Sequence, residues 1–448
     1  MKNKDFRIIK KVPFLRFIRN SGAITKDPIG YHKLFYEEYG DTFVILQLKN
    51  PVVLSRDVKV AEHILKKNHK NYHKSPYQSK NLAEYIGNGL LTANGAYWLK
   101  QRRLIQPAFH RERLERLLVI IAHTVKEQLE VLPLGKAVEV LPIMSTLAFD
   151  VVAKSLFHVA TMEKKMEELK QIIVEIQEFI VMEIRQPHKR LWFRLNGSKG
   201  HHMQLVKRSR TLIQSLVDER RESNAKGYEH DDLLQMLLEA RYENGEGMLD
   251  ETLIDEIIIL FVAGHETTAN ALTFALHLLG AHPDCLIKVR KEAKTVADSK
   301  GDLMGQMSQY TYTRACVEEA MRLYPPAWIT DRVALEDDEI AGYKIKKGTT
   351  IGVSFYEIHR NPLFWDEPNE FRPERFLEES RKENTSYYFP FGAGPRFCIG
   401  NNFALYEMIM TVAEMARRFE LDDCTESLSL KPLITLKPQG IKMRFNAI

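Results

Sequence analysis

The sequence predicts a mainly α-helical protein with small β-sheets to one side, arranged as a single large domain around one long central helix. Three observations predict it. Residues Asp250 to Ala281 are apolar on nearly every face, the mark of a helix buried through the middle of a domain. Helical spacing of apolar residues recurs along most of the chain, whereas strand-like alternation is confined to a few short runs. No linker, low-complexity tract or internal repeat divides the 448 residues, so 1–448 is expected to be one domain, and the buried helix explains a core of that size.

The elements follow in chain order. Met1 to Asn20 is basic, with apolar runs too short for a signal-peptide core or a membrane span, so a soluble, cytoplasmic protein is expected. Thr42 to Leu48 and Pro51 to Ser55 flank a Lys49-Asn50 turn as a hairpin. Helices are expected over Val60 to Lys66, Tyr97 to Leu104, Arg111 to Glu130, Met166 to Glu183, Gln204 to Arg221, Asp250 to Ala281 and Leu286 to Val296. Leu323-Tyr324-Pro325-Pro326 ends a further helix. Glu339 to Val353 reads as a second hairpin about Gly348. The last helix is expected over Ile399 to Glu420, from the spacing of Phe403, Leu405, Ile409, Val412 and Met415 and the lack of proline.

Charge and cysteine usage bound the function. Sixty-four basic against 59 acidic residues leave a net charge of +5, too balanced for a nucleic-acid-binding protein. The four cysteines have no paired spacing, which argues for a reducing compartment. Cys285, Cys316 and Cys424 read as buried, inert hydrophobes.

Cys398 is different. The run Phe391-Gly392-Ala393-Gly394-Pro395-Arg396-Phe397-Cys398-Ile399-Gly400 sets one cysteine on a glycine-flexed loop just before a helix. Gly392 and Gly394 allow angles and close approaches that side chains block, so the loop folds tightly beneath a flat macrocycle. The helix's positive end favours a thiolate, and thiolate ligation pushes electron density onto a heme iron. Arg396 is placed to reach a heme propionate.

Three further constellations stand out. Ala263-Gly264-His265-Glu266-Thr267-Thr268 interrupts the central helix with a glycine, costing about 1 kcal/mol against alanine, and with an acid that is costly to desolvate. A purely structural helix would not choose them; Thr267 bonding the Ala263 carbonyl is the plainer reading, and the two are compatible. Glu319 and Arg322 lie three apart on one helix face, where they can pair. Trp98 and Arg102 share another face and are both donors suited to a propionate, although Trp98 alone reads equally as a core aromatic.

With these motifs in place, the chain resembles the cytochrome P450 superfamily, of the soluble bacterial type without a membrane anchor. The resemblance implies that fold, a single heme domain with the central helix over the heme, and heme b ligated by Cys398 with Phe391 and Gly400 beside it. It implies that the small residues near Ala263 leave room for O2 and that Glu266 and Thr267 relay protons. Glu319, Arg322 and Arg375 would form a buried network serving folding and heme retention, and Arg332 would join Trp98 and Arg102 on the propionates. Nothing after Cys398 is long enough for a flavin domain, so electrons are expected from a ferredoxin or flavodoxin with its NAD(P)H reductase. The partner would dock on the basic residues Lys100, Arg102, Arg103, Arg111 and Arg113, for which a solvated face is the plainer account. A monomer without nucleic-acid partners is expected. His265-Glu266 lacks the second histidine of a zinc protease, since Ala269 stands there, and Gly392-Ala393-Gly394 lacks a dinucleotide site's third glycine.

The expected activity is monooxygenation: one oxygen atom of O2 enters a substrate C–H bond. A peroxide-driven peroxygenase, a non-redox isomerase or dehydratase, and a heme-thiolate sensor or carrier share the fold. The first two would not need the acid–alcohol pair. By family position the pocket draws on Tyr72 to Leu91, Phe179 to Arg185, Phe261 to His265, Ala327 to Thr330 and Leu433 to Thr435. Phe261, Val262, Ala263, Trp328, Ile329, Leu433 and Ile434 suit a fatty-acid or terpenoid-like molecule. Tyr72, His73, Tyr77, Gln78, Asn81, Tyr85, Arg185, His265 and Thr330 offer hydrogen bonds that, facing inward, suit a small hydroxylated substrate. On such a molecule the target is a methyl ether, and the chain is similar to marine bacterial members that O-demethylate 6-O-methyl-galactose, releasing formaldehyde.

Overall fold

The computed structural model describes residues 7–47, 49–157, 163–186, 189–378 and 384–448, with backbone only at 163, 184 and 185. Leu48, the first six residues and the Arg185 side chain, all named in the expectations above, lie outside that description. The central helix spans Asp250–Ala281 and Arg111–Glu130 is a second long helix, both as expected. Their apolar spacing is long and uninterrupted, which is where periodicity is most informative. Around the central helix pack Val140–Phe157, Thr311–Leu323, Ser198–Ala225 and Asn401–Arg418. Phe261 is fully buried between Phe149 and Phe157, with ring centroids 5.3 and 5.9 Å away. Val140–Phe157 and Asp250–Ala281 are each long and apolar enough to cross a membrane, but both are mostly buried among other helices, as core helices are.

The sheets lie to one side. The largest runs Lys10–Lys11, Thr42–Leu46, Val52–Ser55, Thr350–Ser354, Ile329–Ala334 and Tyr72–His73. Thr42–Leu46 and Val52–Ser55 form the expected antiparallel hairpin, with Phe43 opposite Leu54. The second hairpin departs from expectation. Asp338–Ile340 pairs with Tyr343–Ile345 about Ala341 and Gly342, both at positive φ (50° and 86°). Thr350–Ser354 instead joins the large sheet, parallel to Val52–Ser55 and antiparallel to Ile329–Ala334. Gly348 turns the chain between the two sheets. The last helix also stops early, at Arg418, because Phe419–Asp423 is taken up as a strand opposite Lys442–Ala447.

Candidate heme site

The loop ahead of the last helix is built on two glycines with positive φ, Gly392 at 73° and Gly394 at 69°. A Cβ at Gly394 would stand 1.9 Å from the Leu65 carbonyl oxygen, so the loop lies flat against that backbone only because no side chain intervenes. The Cys398 amide donates to the Phe391 carbonyl (3.0 Å), and the helix starts at Asn401 behind Gly400. Cys398 thereby opens onto a cavity of about 1310 Å³ whose lining also includes Ala263, Gly264, Glu266, Thr267 and Thr268 of the central helix.

Burial pushes the Cys398 thiol up, against the Gly400 amide and the Arg102 charge, which both lower it.

Lys74, Arg102, Arg332 and Arg396 are among the cations that line the same cavity. Arg396 donates to the Ala93 carbonyl (3.0 Å) and Asn94 Oδ1 (3.1 Å) and stacks 4.2 Å over Trp98, which is buried. Among the described residues Arg332 reaches only Thr330 Oγ1 and the Asp331 carbonyl, and the Lys74 ammonium only the Leu91 carbonyl. Desolvation lowers Arg332 to about 10, and desolvation with repulsion from Arg332 lowers Arg396 to about 9, while desolvation and both arginines bring Lys74 well below the usual lysine range. Asp331 is the acid beside them, and it already accepts from Gln78 (2.8 Å) and the Ser75 amide (3.3 Å). A positive cluster, buried at Arg332 and half-buried at Lys74, Arg102 and Arg396, facing a cavity with a sulfur ligand fits a flat, dianionic iron macrocycle. Lys74 was missed from sequence, because nothing local sets it apart from the many lysines near it. Arg102 donates to the Phe397 carbonyl (2.9 Å), so its guanidinium faces the cysteine loop and not a docking partner.

Glu319, Arg322 and Arg375 come together as a buried network. Arg322 donates through Nε (2.7 Å) and Nη2 (2.8 Å) to the two Glu319 oxygens, and Arg375 Nε approaches Glu319 Oε1 at 3.3 Å. The Arg372 amide adds a bond to Glu319 (2.9 Å). Arg322 and Glu319 are fully buried.

Other expectations are corrected. Phe261 and His265 do not line the cavity: His265 is buried, donates through Nδ1 to the Phe261 carbonyl (2.8 Å), and meets the Phe149 ring edge-on. Ala263, Trp328, Thr330 and Ile434 do line it. Tyr72 bonds Asp338 (2.7 Å) and Tyr85 bonds Glu183 (2.9 Å), both away from the cavity wall, which His73 and Asn81 also do not reach. The room left by Gly264 is used partly by packing, since a Cβ there would meet Val152 Cγ2 at 2.9 Å. Thr267 Oγ1 donates to the Ala263 carbonyl (2.7 Å). Glu266 takes the Thr435 hydroxyl (2.7 Å), the Gln177 amide (2.9 Å) and, at 3.3 Å, the Lys437 ammonium. Of the lone cysteines only Cys316 is buried; Cys285 and Cys424 are half-buried. Several basic residues of the expected docking segment are engaged: Lys100 sits 3.8 Å over the Tyr242 ring, Arg103 pairs with Glu243, Arg111 with Glu115 and Arg113 with Asp231.

Comparison with known proteins agrees with this site. The chain is 32% identical over 350 residues to cyclooctat-9-en-7-ol 5-monooxygenase of Streptomyces melanosporofaciens, covering 75% of this chain and 73% of that one. It is 30% identical over 421 residues to cytokinin hydroxylase of Arabidopsis thaliana, covering 91% and 81%. The crystal structure of the cytochrome P450DA heme domain superposes with a TM-score of 0.86 at 22% identity, covering 99% of this chain and 98% of that one. The family described as Cytochrome P450 matches residues 13–445, and its members are oxidoreductases that bind heme b, use O2, and act on small molecules with electrons from a redox partner. This chain therefore belongs to the cytochrome P450 family.

Proposed function

We propose that the protein is a monooxygenase hydroxylating an apolar, terpenoid-like molecule. The observation that carries this is the one cavity that Cys398 shares with Ala263, Glu266 and Thr267. Bound heme supplies the activation of O2. The chain's own residues do the rest. Cys398 would hold the cofactor through its sulfur, and Lys74, Trp98, Arg102, Arg332 and Arg396 would meet its propionates. Ala263 and Gly264 bring the helix backbone close without filling the cavity, and Glu266 and Thr267 would hold and pass protons at the cavity wall. Phe391 and Gly400 frame the sulfur.

Support for an apolar substrate comes from the walls. Leu82, Leu91, Val152, Leu156, Trp328 and Ile434 face the cavity, whereas of the polar groups that would suit a methylated sugar and O-demethylation Tyr72, Tyr85 and His265 bond elsewhere, and, among the described residues, Tyr77 is the one that lines the cavity with an unpartnered hydroxyl. Gln78 and Thr330 line the cavity but are engaged by Asp331 and Arg332. A terpenoid relative is consistent with this reading. The reading takes 1–448 as one heme domain, a cytoplasmic monomer reduced by a ferredoxin or flavodoxin with its reductase. Arg103 and Arg111, whose side chains stay largely exposed despite their acid partners, are the best-placed steering charges.

The test is titration of the ferric protein with terpene alcohols, laurate and 6-O-methyl-galactose, followed by turnover with NAD(P)H and a surrogate ferredoxin chain, or with peroxide alone. A high-spin shift and hydroxylated product with the terpene alcohol are expected. Formaldehyde from the methylated sugar would overturn the substrate class. Product from peroxide alone would make the protein a peroxygenase, and absence of any turnover would favour an isomerase, sensor or carrier.

A further inference from the structure

The acid of the acid–alcohol pair is not bonded to the alcohol. Thr267 gives its hydroxyl to the Ala263 carbonyl, while Glu266, its neighbour on the same cavity wall, is held by three groups from elsewhere. Gln177 belongs to the helix Glu163–Arg185. The other two, Thr435 and Lys437, come from a single hairpin, Ser429–Pro432 paired with Leu436–Gln439. Asn270, one turn further along the central helix, donates to Thr435 Oγ1 (3.1 Å), so that hydroxyl is fixed in the direction of Glu266. The Lys437 side chain is 31% exposed and that of Glu266 13%, so the pair bridges the exterior and the cavity wall. His265 lies beside them but is turned to Phe261.

A surface lysine pairing with a surface acid contributes little to stability. Here the acid is mostly covered and faces a reaction cavity, so what the lysine controls is where the carboxylate points. We propose that Lys437 is a positioning residue for proton delivery: with Thr435 it holds the Glu266 carboxylate at the solvent side, from which it turns inward to Thr267 and returns. The inference rests on Glu266 being the relay acid of the proposed monooxygenase. The hairpin tip also contributes Leu433, Ile434 and Thr435 to the cavity, and the Leu433 carbonyl accepts from Trp328 Nε1 (3.0 Å). The element that grips the acid is therefore also one that a substrate touches.

Infrared difference spectra of the purified holoprotein test the contact directly. The carboxylate band lost in Glu266→Gln should shift in Lys437→Met and stay in place in Lys437→Arg. In turnover with a surrogate ferredoxin chain and laurate or geraniol, whichever gives the larger spin shift, Lys437→Met should raise the fraction of NAD(P)H lost to peroxide about threefold, with Lys437→Arg restoring it, as for a disturbed proton donor. A Lys437→Met protein with both the wild-type band and the wild-type peroxide fraction would overturn the proposal. A shifted band with an unchanged peroxide fraction would also overturn it, leaving only a structural contact. If Glu266→Gln itself couples normally, the relay reading of Glu266 fails, whatever Lys437 does to the band.

Discussion

Replacing Glu319 with alanine removes an anion that Arg322 and Arg375 share. Arg322 is fully buried; losing the carboxylate deletes two of its charge-assisted hydrogen bonds, and the Arg372 amide loses its acceptor as well. Partial compensation remains, because Arg322 still donates to the carbonyls of His359 (2.7 Å), Pro368 (2.8 Å) and Glu370 (3.1 Å). A buried cation left without its partner costs about 3–5 kcal/mol. For a chain of this length each kcal/mol moves the melting midpoint by roughly 1–2 °C, so Glu319→Ala should melt roughly 3–10 °C below the parent. Arg375→Lys is the graded control. Its contact with Glu319 is the longest of the set at 3.3 Å and it keeps a positive charge, so it should cost about 1–2 kcal/mol. The assay is a thermal melt of the purified protein, read with the heme-to-protein absorbance ratio. A Glu319→Ala melt within a degree of wild type, with full heme content, would refute the claim that this network holds the structure.

Cys398→His should leave a heme protein whose ferrous-CO complex lacks the thiolate absorption signature, checked by difference spectroscopy, because imidazole donates less charge to iron. Thr267→Ala should keep heme and substrate binding while raising peroxide formed per NAD(P)H, measured by peroxide assay; unchanged coupling would speak against the relay. Glu256 gives a pH signature. Burial, opposed by the Leu90 amide, lifts it from its ordinary 4.5 to about 7. Between those values the folded state holds a proton that the unfolded state has released, so stability is greatest below about 4.5 from this group and falls as pH rises to about 7, by about 3 kcal/mol. Glu256→Gln should flatten that slope in chemical denaturation between pH 5 and 8, and an unaltered slope would show that another group is responsible.

How much could be read from the sequence depended on how local the cause was. Arg111–Glu130 and Asp250–Ala281 show their periodicity within themselves, and the cysteine loop carries its glycines at fixed offsets. Lys10–Lys11 and Tyr72–His73 are two-residue strands whose existence is set by the partners they meet in the sheet. The central helix is apolar on nearly every face, so its sequence does not say which face meets the cavity; Phe261 and His265 were assigned there, yet they point into the packing against Phe149. Gly348 has the positive φ expected of a turn, but hairpin pairing depends on which strands lie alongside, and Gly342 took that role. Lys74 becomes distinctive only once Arg332 and Arg396 are folded next to it.

The contact between Gly264 and Val152 bears on how this chain can change over generations. The two positions lie on different helices, Asp250–Ala281 and Val140–Phe157, and both border the cavity. With Val152 Cγ2 2.9 Å from where a methyl at 264 would sit, an alanine there forces the helices apart or turns the valine, whereas alanine at 152 alone leaves a hole. Each single step is penalised, and the pair of steps together largely cancels. A lineage drifting toward a differently shaped cavity would thus have to cross a narrow saddle at these two sites, moving both or neither. Gly264→Ala, Val152→Ala and the double variant, compared by melting midpoint, should show the double more stable than the sum of its parts predicts.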